Sequence, residues 1–413
     1  MRRLVLILCC VCLFISVTVT SRAQGEITVS VAEGLPEDIR AAVDALSEVG
    51  AFRRVDEASA QVKVINTLDR SAAAAQWTYV PVVPFATVAD DIRYSDVLAY
   101  WQGNTATLAY LSGNGVAPTL VVSAATVAWL TSMFGAPAAN VPIEIVPAET
   151  IPSVLWERRP ASWSLIPFQQ LDPILKALRL DGMDVFNRAL PMDAYPLVQG
   201  IAVTGDPAQV ESVLRALESS NRWQKINRDP DKMTILVMTG VTALVRATAW
   251  VMETTGIEYP AGDILPFLAD ADIVHTSIEV SFSVDCPYPD PSYQATGLIF
   301  CSRDSYFALL QAIKLKVVEL TGNHVKDYGV DAMLHTLDIY DSNGISYFGG
   351  GRNQEDARRA LVMAGRGGSI AFIGCNPAGP QFAWATADTP GAAACDDDFI
   401  RAEIAQMKAH GAV

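Results

Sequence analysis

Short β-branched runs alternate with amphipathic helical segments along nearly the whole of this chain, and no other feature restricts its fold as much. Residues 27–31 and 61–65 read as strands, and between them 36–49 sets Ile39, Val43 and Leu46 on one helical face. Further strands are expected at 79–83, 120–123 and 143–146, with helices at 124–134 and 206–219. Beyond them, 233–239 (MTILVMT) is a near-continuous apolar run, the pattern of a strand buried on both faces. Strands at 271–275, 317–320 and 369–373 and helices at 304–313, 331–343 and 399–408 complete the series. Such alternation packs helices against largely parallel sheets, so the expected fold class is α/β. The polar stretch 221–232 (NRWQKINRDPDK) interrupts the pattern and predicts a linker between a domain at 25–220 and one at 233–413. There is no internal sequence repeat and no low-complexity tract.

Composition removes several classes of function. The 413 residues are 51% hydrophobic and only 18% charged, which excludes a disordered chain. A net charge of −15 argues against nucleic acid as a partner and against docking on anionic lipid, since both need clustered Lys and Arg. Residues 1–24 carry Arg2 and Arg3, then an apolar run, then a small polar end. This is the pattern of a signal peptide or N-terminal anchor. The protein is therefore expected to be exported, extracellular or at the cell surface, with membrane contact through this segment alone. Cys9, Cys10 and Cys12 fall inside the apolar run, leaving Cys286, Cys301, Cys375 and Cys395 in the mature chain. An even count in an exported chain predicts disulfides. Proximity favours Cys286–Cys301 and Cys375–Cys395, with three pairings open.

Residues 317–329 read VVELTGNHVKDYG: a buried strand running into Gly-Asn-His, an acid, then Tyr-Gly and a helix. His335-Thr336-Leu337, Asn343-Gly344-Ile345, Gly349-Gly350-Gly351-Arg352-Asn353 and 369–376 (SIAFIGCN) follow in order. Over residues 232–413 this series resembles the bacterial capsule-synthesis CapA proteins, the poly-γ-glutamate synthesis family, whose fold is similar to calcineurin-like metallophosphoesterases. The resemblance implies an incomplete metallophosphoesterase-like α/β sandwich. It implies Glu279 and Asn323 as ligands of a divalent metal (Mn, Mg or Zn), with His324 as acid or orienting group. Asp327 would hold the His324 imidazole or cap the next helix. Such loops aim carboxylate, amide and imidazole groups from the ends of parallel strands at one point. Arg246 and Arg352 are candidates to grip an anion or anionic polymer bidentately, and the loop containing Gly350 to cradle one with backbone amides.

The chain departs from that family where an acid is expected: Gly240 is followed by Val241 and Thr242, and Ser277 replaces an asparagine. His275, His335 and His410 do not fall at the family's ligand positions, and its later imidazole motifs would begin just after 405–413. Two expectations compete: a fragment of a longer product, or a degenerate member that binds rather than catalyses.

The N-terminal half carries 81–91 (PVVPFATVADD), 96–104 (DVLAYWQGN), 163–182 (WSLIPFQQLDPILKALRLDG) and Ala194-Tyr195-Pro196-Leu197. Over about residues 25–205 these resemble type 2 periplasmic solute-binding proteins of the phosphate and oxyanion group. That resemblance implies a two-lobed domain closing over a ligand, with helix N-termini facing an anion. Phe85, Thr87, Trp101, Ser123 and Tyr195 are the candidates to line its cleft. Together the two resemblances imply a cell-surface protein of capsule or envelope polymer synthesis. Its ligand would be an anionic polymer or small anion, and other capsule-synthesis proteins its neighbours. A metal-dependent hydrolase of amide or phosphoester bonds and a non-catalytic anion or peptide binder are the alternatives.

Overall fold

The computed structural model describes residues 26–290 and 298–413, and these divide into two compact units, one ending at Arg228 and the other beginning at Asp229. The N-terminal segment with Cys9, Cys10 and Cys12 lies outside the described residues.

The first unit has strands β1 (Ile27–Val31), β2 (Phe52–Arg54), β3 (Val62–Thr67), β4 (Ala75–Pro84), β5 (Asp91–Ile92), β6 (Thr119–Val122), β7 (Ile143–Ile145), β8 (Ser162–Pro167), β9 (Leu175–Ala177), β10 (Arg179–Leu180) and β11 (Val198–Gly205). Its helices are α1 (Glu37–Asp44), α2 (Tyr94–Trp101), α3 (Ala124–Phe134), α4 (Ile151–Glu157) and α5 (Pro207–Ser219). The main sheet runs β2-β1-β3-β11-β4-β8-β6-β7, with β9 also on β4, while β5 and β10 form a separate pair.

One pattern occurs twice in that sheet. β1 lies parallel to β2 and β3, and β6 lies parallel to β7 and β8. Each trio is then closed by an antiparallel strand, β11 on β3 and β4 on β8. β4 serves both halves: Ala75 to Thr78 pair with β11, Tyr79 to Val82 with β8, and Val82 to Pro84 with β9. This is the two-lobed, solute-binding-like arrangement that the sequence resemblance implies. The duplication is one of topology, invisible to a search for repeated sequence. One continuous core fills the unit, with the Tyr79 ring stacked on Trp129 at 4.0 Å and Tyr100 edge-on to Trp163 at 5.2 Å.

The stretch expected as a linker is no free tether up to Arg228. Trp223, Asn227 and Arg228 are buried. The Gln76 amide donates to the Lys225 carbonyl at 2.7 Å. Asn227 completes both hydrogen bonds of Thr78, its Oδ1 accepting from Thr78 N at 2.7 Å and its Nδ2 donating to Thr78 O at 2.9 Å. Arg228 Nε donates to the Val185 carbonyl at 2.7 Å. Polar composition here reflects partners within the unit rather than solvent.

The second unit is built on β12 (Leu236–Thr242), β13 (Ile273–Ile278), β14 (Val317–Glu319) and β15 (Ser346–Phe348), all parallel and in that order. Two small antiparallel pairs accompany it: β16 (Gly350–Gly351) with β19 (Gly391–Ala392), and β17 (Leu361–Ala364) with β18 (Ser369–Phe372). Its helices are α6 (Arg246–Thr255), α7 (Leu265–Leu268), α8 (Phe307–Ala312), α9 (Gly329–Ser342), α10 (Gln354–Arg358) and α11 (Asp397–Ala409). The larger core cluster includes Leu310, Val318, Met333 and Leu337. A small one gathers Ile273, Val317, Phe348 and Phe372. Disulfides join Cys286 to Cys301 and Cys375 to Cys395.

β12 differs from its expectation. It stands at the end of the sheet order, so Met238 is 59% and Val241 68% exposed rather than buried on both faces.

Candidate functional site

The loops after β13 and β14 meet because of one glycine. A Cβ at Gly322 would lie 2.6 Å from the Glu279 Cα, so only glycine lets the two loops touch. That contact brings Glu279 and Asn323 to one cavity of about 190 Å³, together with Ser277, Thr321, Asn376 and Val241. Glu279 and Asn323, the two residues expected as metal ligands, are thus brought together.

His324 and Asp327 form a dyad beside them. The imidazole Nδ1 lies 2.6 Å from Asp327 Oδ2, and the same oxygen accepts the Phe300 backbone amide at 2.8 Å. The Phe300 ring stands edge-on to the imidazole at 4.7 Å. A carboxylate at Nδ1 fixes ring orientation and leaves Nε2 as the position for outside chemistry.

The position of the missing family acid has its own chemistry. The register of β12 shifts between Met238 and Val241. The Thr276 hydroxyl holds the irregularity, lying 2.8 Å from Thr239 Oγ1 and 2.6 Å from Thr242 Oγ1 and donating to the Gly240 carbonyl at 3.2 Å. Hydroxyls pin the backbone there, and the Val241 side chain faces the cavity where a carboxylate ligand would be needed.

The donor set does not fit a two-metal centre. Glu279 is the cavity's one carboxylate. The Asn376 Oδ1 already accepts the amides of Ala378 at 2.9 Å and Gly379 at 2.7 Å. Among the described residues, no group of three or more His, Cys, Asp or Glu could hold a metal ion.

Sequence reasoning missed Asn376, which is 2% exposed and donates to the Thr321 carbonyl at 2.9 Å, tying a third loop to the site. Its place at the end of the 369–376 motif was the available signal. His275, which the sequence places outside the ligand positions, is buried at 2% exposure with neither ring nitrogen hydrogen-bonded. That ring lies against Phe348 and Phe372, with Glu319 Oε2 at 3.9 Å. Burial lowers the His275 pKa from its ordinary value, and the Glu319 charge partly opposes this.

Other expectations are corrected. Arg352 is not a free anion grip: it pairs with Asp338 at 2.7 Å and Asp341 at 2.6 Å, and these bonds raise its pKa. Gly350 sits in β16, paired with Ala392, and the Asp356 carboxylate accepts the Arg352 amide at 2.9 Å, where a cradled anion would be. Arg246 stays exposed, with its guanidinium 5.7 Å from the Phe300 ring.

In the first unit, Trp101 is 2% exposed with its Nε1 donating to the Gly135 carbonyl at 2.8 Å, and Tyr195 is fully buried with its hydroxyl donating to Tyr79 O at 2.9 Å. Both are core residues, not cleft lining. Ser123 caps α3 by accepting the Thr126 amide at 3.1 Å. Thr87 is buried with its hydroxyl unpartnered, while its carbonyl accepts Lys176 Nζ at 2.9 Å. Phe85 is 66% exposed. Where lobes of this kind would part, a Cβ on Gly34 would lie 2.8 Å from Trp129 N, and Gln169 Nε2 donates to Asp38 Oδ2 at 3.1 Å.

A parallel sheet whose strand-end loops converge on a carboxylate, an amide and an Asp-held imidazole defines the second unit as an α/β domain with its site at the carboxyl edge. A model of the bacterial capsule synthesis protein family, PGA_cap, matches residues 201–413, just over half of the chain, and the chain belongs to that family. The capsule biosynthesis protein CapA of Bacillus anthracis is 22% identical over 184 residues, covering 44% of each chain. The uncharacterized protein y4sH of Sinorhizobium fredii is 27% identical over 135 residues, covering 32% of this chain and 27% of that one. The chain thus spans less than half the length of these curated relatives. Among solved structures, an ABC-type phosphate transport receptor from Vibrio cholerae is similar with a TM-score of 0.39 and 13% identity, over 48% of this chain and 95% of that one. PstS from Borrelia burgdorferi is similar with a TM-score of 0.36 and 6% identity, over 48% and 94%.

Proposed function

We propose that this chain is an exported, cell-envelope protein of capsule polymer synthesis whose second unit binds polymer rather than cleaving it. The family membership supports the capsule role, and the family's namesake polymer makes poly-γ-glutamate the ligand to test. One observation carries the binding reading: the cavity holds a single carboxylate, Glu279, with Val241 facing it where a second would be needed. Glu279 is suited to accept an amide N–H of the polymer, and the Asn323 amide to donate to a carbonyl or carboxylate. His324 follows Asn323 on the same loop, and with Nδ1 held by Asp327 its Nε2 is the atom left for a polar group of the polymer. No helix among the described residues is long and apolar enough to cross a membrane, so the envelope reading rests on the family and the N-terminal segment.

The test is a thermal-shift titration of the whole chain with oligo-γ-glutamate and, separately, Mn²⁺. Oligo-γ-glutamate is expected to stabilise the protein, with the effect lost in Glu279→Gln and Asn323→Ala and no glutamate released on long incubation. Mn²⁺ stabilisation abolished by Glu279→Gln, with glutamate released, would establish the metal-dependent hydrolase instead.

A further inference from the structure

Three loops of the cavity meet at Thr321. Its carbonyl accepts the Asn376 side-chain amide at 2.9 Å. Its methyl is wedged against two glycines: a Cβ on Gly349 would lie 2.5 Å from Thr321 Cγ2, and one on Gly374 3.0 Å. Its hydroxyl donates to Glu319 Oε1 at 2.6 Å. With packing this close, Thr321 cannot shift without disturbing the loops that carry Gly349 and Asn376. Glu319 therefore fixes a wall of the cavity without lining it.

The other oxygen of that carboxylate faces a group with no partner. Glu319 Oε2 lies 3.9 Å from His275 Nε2, too far for a hydrogen bond. Both ring nitrogens of His275 are buried and unpaired, a state uncommon in native structures. Among the described residues, Glu319 is the one charge that acts on the imidazole. β12, β17, β18 and the rest of β13 carry no titratable side chain. Phe348 of β15 and Phe372 of β18 flank the ring, while Tyr347 of β15 packs in the larger core cluster. Arg366, in the turn between β17 and β18, is paired with Asp272 at 3.0 Å.

A neutral imidazole leaves Glu319 to Thr321. A protonated one is a buried cation with two N–H donors and one carboxylate within reach. Closing 3.9 Å to the ~2.8 Å of a charge-assisted hydrogen bond moves that carboxylate by about 1 Å. We propose that Glu319 is a positioning residue for the polymer-binding cavity, and that protonation of His275 draws it off Thr321 and loosens the cavity, so that acid releases the polymer. The polymer rests on the function proposed above, whereas the coupling from His275 to Thr321 rests on geometry alone. Its sign follows from burial, which keeps His275 neutral at and above pH 6.5.

The test has two arms. In the first, oligo-γ-glutamate is titrated into the whole chain by calorimetry, in pH steps from about 7.5 downwards. Wild-type affinity is expected to weaken, relative to His275→Phe at the same pH, by about fivefold or more as pH falls below 6.5. Taking the ratio at each pH cancels the titration of other groups. The second arm needs no polymer. Exchange of the Asn376, Ala378 and Gly379 amides, corrected for the intrinsic rate at each pH, is expected to speed up over the same range in wild type and not in His275→Phe. Exchange in α9 is expected to change less, since a merely structural His275 would loosen that helix as much. Glu319→Gln, which keeps an acceptor for Thr321 and carries no charge, is the second variant and is expected to remove the pH response as well. Oligo-γ-glutamate that binds at no pH would remove the function proposed above and leave the exchange arm to decide. Exchange that responds to pH equally in wild type and His275→Phe, or an affinity ratio that stays constant with pH, would overturn the proposal.

Discussion

The two units hold themselves together by different means. The first has one continuous core, in which Trp77, Trp129, Trp163, Tyr79, Tyr100 and Tyr195 are fully buried, and no cysteine among its described residues. The second divides its apolar residues among several clusters and adds two disulfides. Burial alone suffices where strands are covered on both faces. Where loops must stay open around cavities, covalent links take over part of the task. The first unit ties Asn227 and Arg228 into its own backbone, and the second leaves Glu279 and Asn323 lining a cavity.

Three measurements would break or sharpen this contrast. The largest effect is expected from Trp163→Ala, which empties part of the first core. It should cost about 3–5 kcal/mol in the denaturant transition of that unit and leave the second unit's transition in place. Next is Cys375→Ser with Cys395→Ser. Loops of this length contribute about 3 kcal/mol, and that loss should appear only in the second unit's transition. A first unit equally sensitive to reduction would dissolve the comparison.

The smallest effect is expected from pH. Burial depresses the His275 pKa below 6.5, so the folded unit takes up that proton at lower pH than the unfolded chain does. The associated stability is intact above pH 6.5 and is lost as pH falls through that value towards the folded pKa. Each unit of depression is worth ~1.4 kcal/mol. Denaturation midpoints of the second unit should fall as pH drops below 6.5, and His275→Phe should flatten that fall.

Much of the architecture was legible because strand and helix periods differ so plainly. The runs at 27–31, 124–134 and 317–320 became β1, α3 and β14 within a residue of expectation. Position within a sheet was not legible: the apolar stretch leading into β12 looks central, yet its strand stands at the end of the sheet order. Composition also could not show that residues 221–228 pack on β4, because Asn227 and Arg228 read the same whether they face water or a carbonyl. At the site, Glu279, Asn323, His324 and Asp327 were recoverable from motif order. The paired state of Arg352 was not, since it depends on Asp338 and Asp341 of α9 being brought beside it by the fold.

The side chain of Asn227 behaves towards Thr78 as a neighbouring peptide group would, offering one acceptor and one donor in register. A single residue thus stands in for a short edge strand at the seam where β4 passes from one half of the sheet to the other. Anyone dividing this protein should cut after Arg228 rather than at 220. The shorter piece would expose both polar groups of Thr78 at the middle of the unit's longest strand, and with them a ready place for another chain to pair.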